Sequence, residues 1–279
     1  VLPLEKSFGR IAEFLEEIYH RFNTRSHVPP DPLMFVYRYR EWADREVVAL
    51  IASSVAVGRV EAIASCLERV LGWLGPAPAE FLRSARDSEL DRLVRGFRYR
   101  FFGEREMRGL LEGVGRVLRC HGSLEDGMRW ALLQKSGNVS DALDLFVGTL
   151  RGDEKHGGAG RLLPQPSRGS ACKRLHLFLR WMVRRDNVDP GDWSCIKPAQ
   201  LLVPLDTHMF RVARHLGLTA RRQADARAAR EITRGFARWA PEDPVRYDFA
   251  LTRLSMRDPT WLETVAKVLC ANNSEGGDP

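Results

Sequence analysis

Apolar residues recur every three or four positions along most of this chain, the spacing that gathers them on one face of an α-helix. Leu4, Phe8, Ile11, Leu15, Ile18 and Phe22 form the first such stripe and predict a helix ending before Asn23. The stretch 27–31, with Pro29 and Pro30, interrupts the pattern. Residues 44–57 are almost continuously apolar and predict a buried central helix, punctuated by Gly58-Arg59. A further helix is expected to run to Leu71, and Gly75-Pro76-Ala77-Pro78 marks a turn. Shorter helices follow over 79–84, 87–94, 104–120, 123–134 and 139–150. Arg151 to Arg168 is irregular and Gly-rich, and irregular segments of that length in compact domains are often functional. A long helix is expected over 170–186, then a turn-rich segment over 187–193, then helices over 207–216, 222–239, 244–256 and 259–270. Residues 272–279 read as a flexible tail. No period-two alternation persists, so the expected fold class is all-α.

Composition narrows the class of protein. At 279 residues the chain can bury a sizeable core, and 44% hydrophobic with 9% aromatic residues argues against wholesale disorder. No apolar run reaches the roughly 20 residues needed to span a bilayer, so no membrane partner is expected. Glu5 and Lys6 sit within a helical pattern without a signal-peptide layout, which predicts a cytoplasmic protein. The five cysteines, at 66, 120, 172, 195 and 270, show neither zinc nor iron–sulfur spacing, and the seven histidines form no ligand motif. The expectation is no metal and no cofactor.

The net charge of +7 favours an acidic partner, most simply nucleic acid. Of 43 Lys and Arg residues only six are Lys, which leaves 37 Arg, the better bidentate phosphate ligand. Compositional bias of the source genome would produce the same ratio, and ordinary solubility charge the same sign.

The chemistry concentrates in two segments. Gly169-Ser170-Ala171-Cys172-Lys173-Arg174 opens the helix expected over 170–186, with Ser170 as a natural N-cap. Ala171, Leu175, Phe178 and Met182 make its buried stripe, whereas Lys173, Arg180 and Arg184 fall on another. A Lys near a helix N-terminus opposes the positive end of the helix dipole, which favours the neutral, nucleophilic amine. The alternative is a solvated surface Lys. The second segment, Pro204-Leu205-Asp206-Thr207-His208, places Asp206 to cap the next helix through the N–H of His208 or Met209.

Lys173-Arg174-Leu175-His176-Leu177-Phe178-Leu179-Arg180 followed by Leu205-Asp206-Thr207-His208 resembles the helix-hairpin-helix (HhH-GPD) DNA glycosylase superfamily. The Lys-x4-Phe-Leu-Arg spacing is similar to its archaeal-type 8-oxoguanine glycosylases, and Asp-Thr-His-x-x-Arg-Val to endonuclease III. Phe178-Leu179-Arg180-Trp181-Met182-Val183-Arg184 and 243–251 also resemble a bacterial family of unknown function, over most of the chain. The glycosylase resemblance covers 45–70 and 160–255. It departs at the hairpin, where Leu163-Pro164-Gln165-Pro166 replaces the usual Leu-Pro-Gly-hydrophobic-Gly, and in the absent iron–sulfur cysteines.

The resemblance implies a two-lobed fold, one lobe from 45–202 with the hairpin-like segment 163–173, the other from 1–44 plus 203–271. It implies that Lys173 attacks C1′ of a flipped, damaged nucleotide and that Asp206 stabilises the cationic sugar, in a glycosylase and AP lyase of DNA base-excision repair. Gly169, Ser170 and Ala171 would hold a phosphate through backbone N–H groups. Arg174, Arg180, Arg59 and Arg211 would contact DNA, and Trp193, Tyr247, Asp248 and His208 would form the base pocket. The implied protein is a monomer associated with the bacterial nucleoid.

Each of these residues has a plainer reading: Trp193 a packing anchor, Asp248 a structural salt bridge, His208 a local hydrogen bond, Gly58-Arg59 a turn. Leu111-Glu112-Gly113-Val114-Gly115-Arg116 mimics the hairpin consensus, but no Lys follows it and it reads as a helix with two glycines. Arg95 to Phe101 reads as a basic surface segment. The alternative function is a non-enzymatic DNA- or RNA-binding module on the same scaffold. A third is a helical interaction protein meeting another acidic partner.

Overall fold

The computed structural model of the protein describes residues 8–152 and 158–270 and is mostly helical. Helix α1 (Phe8–Phe22) buries Ile11, Phe14, Leu15, Ile18 and Phe22, as its periodicity predicts. A 3-10 segment (Pro32–Arg38), capped by Asp31, leads into α2 (Trp42–Ser54), in which every residue from Glu46 to Ser54 is buried. Helices α3 (Val60–Leu74), α4 (Pro78–Ser84) and α5 (Asp87–Leu93) follow. Among the described residues the fold is all-α as expected, interrupted only by a small hairpin, β1 (Arg98–Tyr99) and β2 (Phe102–Gly103), pairing Arg98 with Gly103 and Tyr99 with Phe102. Strands of two residues are too short for alternation to register in a sequence.

Helices α6 (Glu104–His121), α7 (Leu124–Gln134) and α8 (Val139–Arg151) form the next group, with α6 packed on α4, α7 and α8. The two glycines of the false hairpin motif lie inside α6, where they permit close helix contact. A Cβ on Gly113 would fall 1.8 Å from the Leu150 carbonyl oxygen, and one on Gly115 would fall 2.4 Å from that of Leu82.

Helix α9 (Lys173–Val183) packs on α2, and its Leu175, Phe178 and Met182 are buried as expected. Helices α10 (Thr207–His215), α11 (Ala226–Phe236), α12 (Asp248–Arg257) and α13 (Trp261–Cys270) complete the described chain. α1 contacts α12 and α13, and α10 contacts the same two. The tail assigned to 272–279 lies outside the described residues, as does part of the Gly-rich segment after Arg151.

Helix α9 is shorter at both ends than the 170–186 expectation. At its C-terminal end, Arg184 leaves the helix to enter a buried charge network. Arg184, 3% exposed, pairs with Asp186, Asp189 and Asp243, while Arg180, also 3% exposed, pairs with Asp189 and Asp248. Buried ions persist only when paired and hydrogen-bonded. The network ties α9 to the segment after it and to the start of α12.

Candidate active site

Asp206 is the N-cap of α10, with an extended backbone (φ −111°) and Oδ1 accepting the Met209 N–H at 2.8 Å. The cap satisfies an orphan donor of the helix and fixes the carboxylate rotamer. The other oxygen, Oδ2, lies 3.5 Å from Lys173 Nζ. The two side chains are 22% and 34% exposed, so a molecule entering from solvent can reach both.

Lys173 is the first residue of α9. Ser170 is therefore not its N-cap, and the structure corrects that expectation with a local reason. Gly169 (φ 78°) and Cys172 (φ 44°) both adopt left-handed backbone, and Ser170 pairs with Asp225 across an isolated antiparallel bridge. The Ser170 hydroxyl accepts only the Cys172 N–H, at 3.3 Å. A left-handed residue at 172 stops helical geometry from reaching back to 170. The backbone cradle expected over 169–172 is narrowed as well. The Gly169 N–H already donates to Pro166 and the Cys172 N–H to Ser170.

Lys173 and Asp206 line one pocket of 210 Å³. Ala56, Ile63, Leu177 and Phe249 give it apolar wall, and Asp31, His208 and Thr252 add polar groups. Gly58 lies at the same pocket, and Arg59 beside it is exposed. Part of the lining is charged: buried Asp248 with buried Arg180, and buried Arg253 with half-buried Asp31. Burial pushes the Asp248 carboxyl up to about 6, against the pull of Arg180, and the negative charge of Asp206 pushes it further the same way. A larger cavity of 450 Å³ touches Gly169 but carries Asp141, Asp144 and Asp225 beside Lys135, Arg227 and Arg230, a mixed lining ill suited to phosphate.

Several expected contact residues are internal. Arg180 is spent on Asp189 and Asp248, too deep to touch a DNA phosphate. Arg174 donates to the carbonyls of Ser54 and Arg161, at 2.5 and 2.6 Å, and lies over the Phe102 ring. Burial lowers its pKa to about 10. Trp193 is buried, edge-on to Phe178, and its indole N–H donates to Glu46 at 2.6 Å, so it is a packing anchor and not a base platform. Tyr247 is buried with its hydroxyl on Glu16, outside the pocket lining. Asp248 takes the structural ion pair but also lines the pocket. Ala171 is buried, whereas Arg211 is exposed over Trp261 and His208 is exposed at the pocket. Sequence reasoning missed Asp31 and Arg253, because no local pattern signals an ion pair between residues so far apart.

A mostly helical protein with a lysine–carboxylate pocket above buried ion pairs is the class that fold and site define. Residues 31–257 match the model of a family described as a protein of unknown function (DUF2400), and the chain belongs to that family. No curated protein and no solved structure matches the chain. Among the described residues, no helix is long and apolar enough to cross a membrane. No group of three or more His, Cys, Asp or Glu among them is placed to hold a metal ion.

Proposed function

We propose that the protein is a lysine-dependent DNA glycosylase and AP lyase of the helix-hairpin-helix type, with two lobes meeting at the Lys173 pocket. The observation that carries this reading is the 3.5 Å approach of Lys173 Nζ to Asp206 Oδ2 in one solvent-reachable pocket. The resemblance of the sequence around both residues names the same pair.

The chemistry asks three things of the site. The neutral Lys173 amine forms a bond to C1′ of an extruded nucleotide as the C1′–N bond breaks, its electron pair leaving with the base, which takes up a proton. Asp206 stabilises the positive charge that develops on the sugar. The ammonium so formed loses a proton, and the nitrogen then expels the ring oxygen O4′, which takes up a proton, to give an iminium that acidifies C2′–H. A base removes that proton, and the C3′–O bond breaks with the phosphate as leaving group. Water hydrolyses the iminium and frees Lys173. Extruding a nucleotide costs a few kcal/mol, least for a damaged or mispaired base.

Borohydride reduction in the presence of DNA bearing an abasic site tests the proposal. The wild-type protein is expected to become covalently attached, with the adduct mapping to Lys173 among six lysines. K173A is expected to give none. Salt-sensitive DNA binding with no adduct would favour a binding module in which Lys173 meets phosphate, and absence of any nucleic-acid affinity would overturn both readings.

A further inference from the structure

Among the described residues, four large hydrophobic side chains are exposed: Phe101, Trp130, Leu133 and Met256. Scattered exposed hydrophobics are ordinary. Phe101 differs by its position and its surroundings.

Phe101 follows Arg100 in the turn of the β1–β2 hairpin, where Arg100 is left-handed (φ 52°), and it is 56% exposed. The hairpin is fastened to its surroundings at four points, one of them on the lining of the Lys173 pocket. The Tyr99 hydroxyl donates to Val57 at 2.6 Å. The Arg100 guanidinium crowds Gly58, itself part of the pocket lining, so that a Cβ there would lie 2.3 Å from Nη1. Arg161 donates to the Phe101 carbonyl at 2.9 Å, and the Phe102 ring lies beneath Arg174, the neighbour of Lys173. The backbone and the flanking rings are thus held while the Phe101 ring is left in water.

Arginine dominates the exposed charge on and beside the hairpin. Arg59, Arg98, Arg100 and Arg161 are all exposed, and the Arg100 guanidinium lies 5.2 Å from the Phe101 ring centre. Two carboxylates lie at the hairpin base: Glu104 accepts the Gly96 N–H, and Glu106 accepts the Gly103 N–H with Oε2 while its Oε1 lies 4.0 Å from Arg161. A flat apolar face beside exposed arginines matches a nucleobase flanked by its phosphates. Stacking of a base on an aromatic ring contributes about 1–3 kcal/mol, and the arginines neutralise the backbone charge.

We infer that the hairpin tip is a nucleic-acid contact, in which Phe101 stacks on an unpaired base at the mouth of the Lys173 pocket and Arg100 takes an adjacent phosphate. This rests on the reading of that pocket as one that receives a DNA nucleotide. The two claims are nevertheless separable by experiment.

The test uses the full chain and a duplex with a tetrahydrofuran abasic analogue, which cannot form a Schiff base, next to 2-aminopurine. Wild-type protein is expected to change the 2-aminopurine fluorescence. F101A is expected to lose that change and bind roughly 5- to 100-fold more weakly, F101W to restore both, and R100A to flatten the salt dependence of binding. An unchanged circular dichroism spectrum shows that F101A is folded. Binding and fluorescence of F101A equal to wild type would overturn the inference, as would no DNA binding by the wild type, or binding of an acidic peptide in its place. Borohydride trapping on a true abasic site reads the other claim. An adduct with an inert Phe101 keeps the lysine reading and removes the hairpin, and a Phe101-dependent signal without an adduct does the reverse.

Discussion

Asp206 divides its carboxylate between fold and pocket: Oδ1 accepts the Met209 N–H at 2.8 Å, and Oδ2 faces Lys173 Nζ at 3.5 Å. One side chain is both helix cap and counter-charge. The cap needs only an acceptor, whereas the pocket needs a negative charge, so two substitutions separate the roles.

D206N keeps a good N-cap, and its stability is expected to match wild type within a few tenths of a kcal/mol, while D206A loses about 1 kcal/mol. Both are expected to slow nicking of abasic DNA about 100-fold. Urea denaturation beside single-turnover nicking reads the two effects. Full nicking activity in a folded D206N would remove the carboxylate from the mechanism.

Stability is expected to fall as pH rises from the ordinary carboxylate range towards neutrality, because of Glu46. This side chain is fully buried in α2, where it accepts the backbone N–H groups of Leu124 and Glu125 and the indole N–H of Trp193. Burial pushes its carboxyl from 4.5 up to about 7, although the three donors pull the other way. A pKa raised on folding contributes stability that is complete below the unfolded value and is lost as pH rises through the folded one. Asp248, raised to about 6, acts in the same direction at lower pH. The thermal midpoint is expected to drop between about pH 4.5 and pH 7 and to level off above, and E46Q to flatten that slope whatever its absolute stability. An equal slope in E46Q would assign the effect elsewhere.

Arg180 neutralises two carboxylates at the centre of the buried network. R180M is expected to cost about 3–5 kcal/mol, because it leaves Asp248 without its cation and Asp189 with Arg184 alone. Denaturant titration measures the loss. A loss under 1 kcal/mol would mean that water reaches these carboxylates.

Two glycines in neighbouring helices should respond in opposite directions. G113A forces a Cβ against the Leu150 carbonyl and is expected to destabilise by about 1–3 kcal/mol. Gly148, in the interior of α8, has open space around its Cβ position, so G148A is expected to stabilise by about 0.5–1 kcal/mol. Thermal melts of the pair check the packing of α6 on α8.

The helices of this protein were legible because their signals are local. The stripe of α1, the continuous apolar run of α2 and the acceptor ahead of α10 each lie within one element. The Asp206 cap was readable for the same reason. The start of α9 was misread because Ser170 looks like a cap, while its pairing with Asp225 comes from a distant segment. Trp193 is open in the sequence to two readings, packing anchor and base platform, and Glu46, far away in sequence, supplies the partner that makes it an anchor.

The chain by itself therefore determined the helical class, most helix positions, the basic character and the candidate pair Lys173 and Asp206, all of which follow from spacing and residue chemistry. The tertiary structure alone decided that those two side chains face one pocket, that Arg180 is internal and that Arg174 is tied to the carbonyls of Ser54 and Arg161. It also decided that an exposed Phe101 sits next to Arg100, which packs on Gly58 of the pocket lining. The reason is physical: an amphipathic stripe or a cap is set by neighbours within a turn or two of helix. Burial and ion pairing depend on which distant segments close over a side chain, and only the packed chain specifies that.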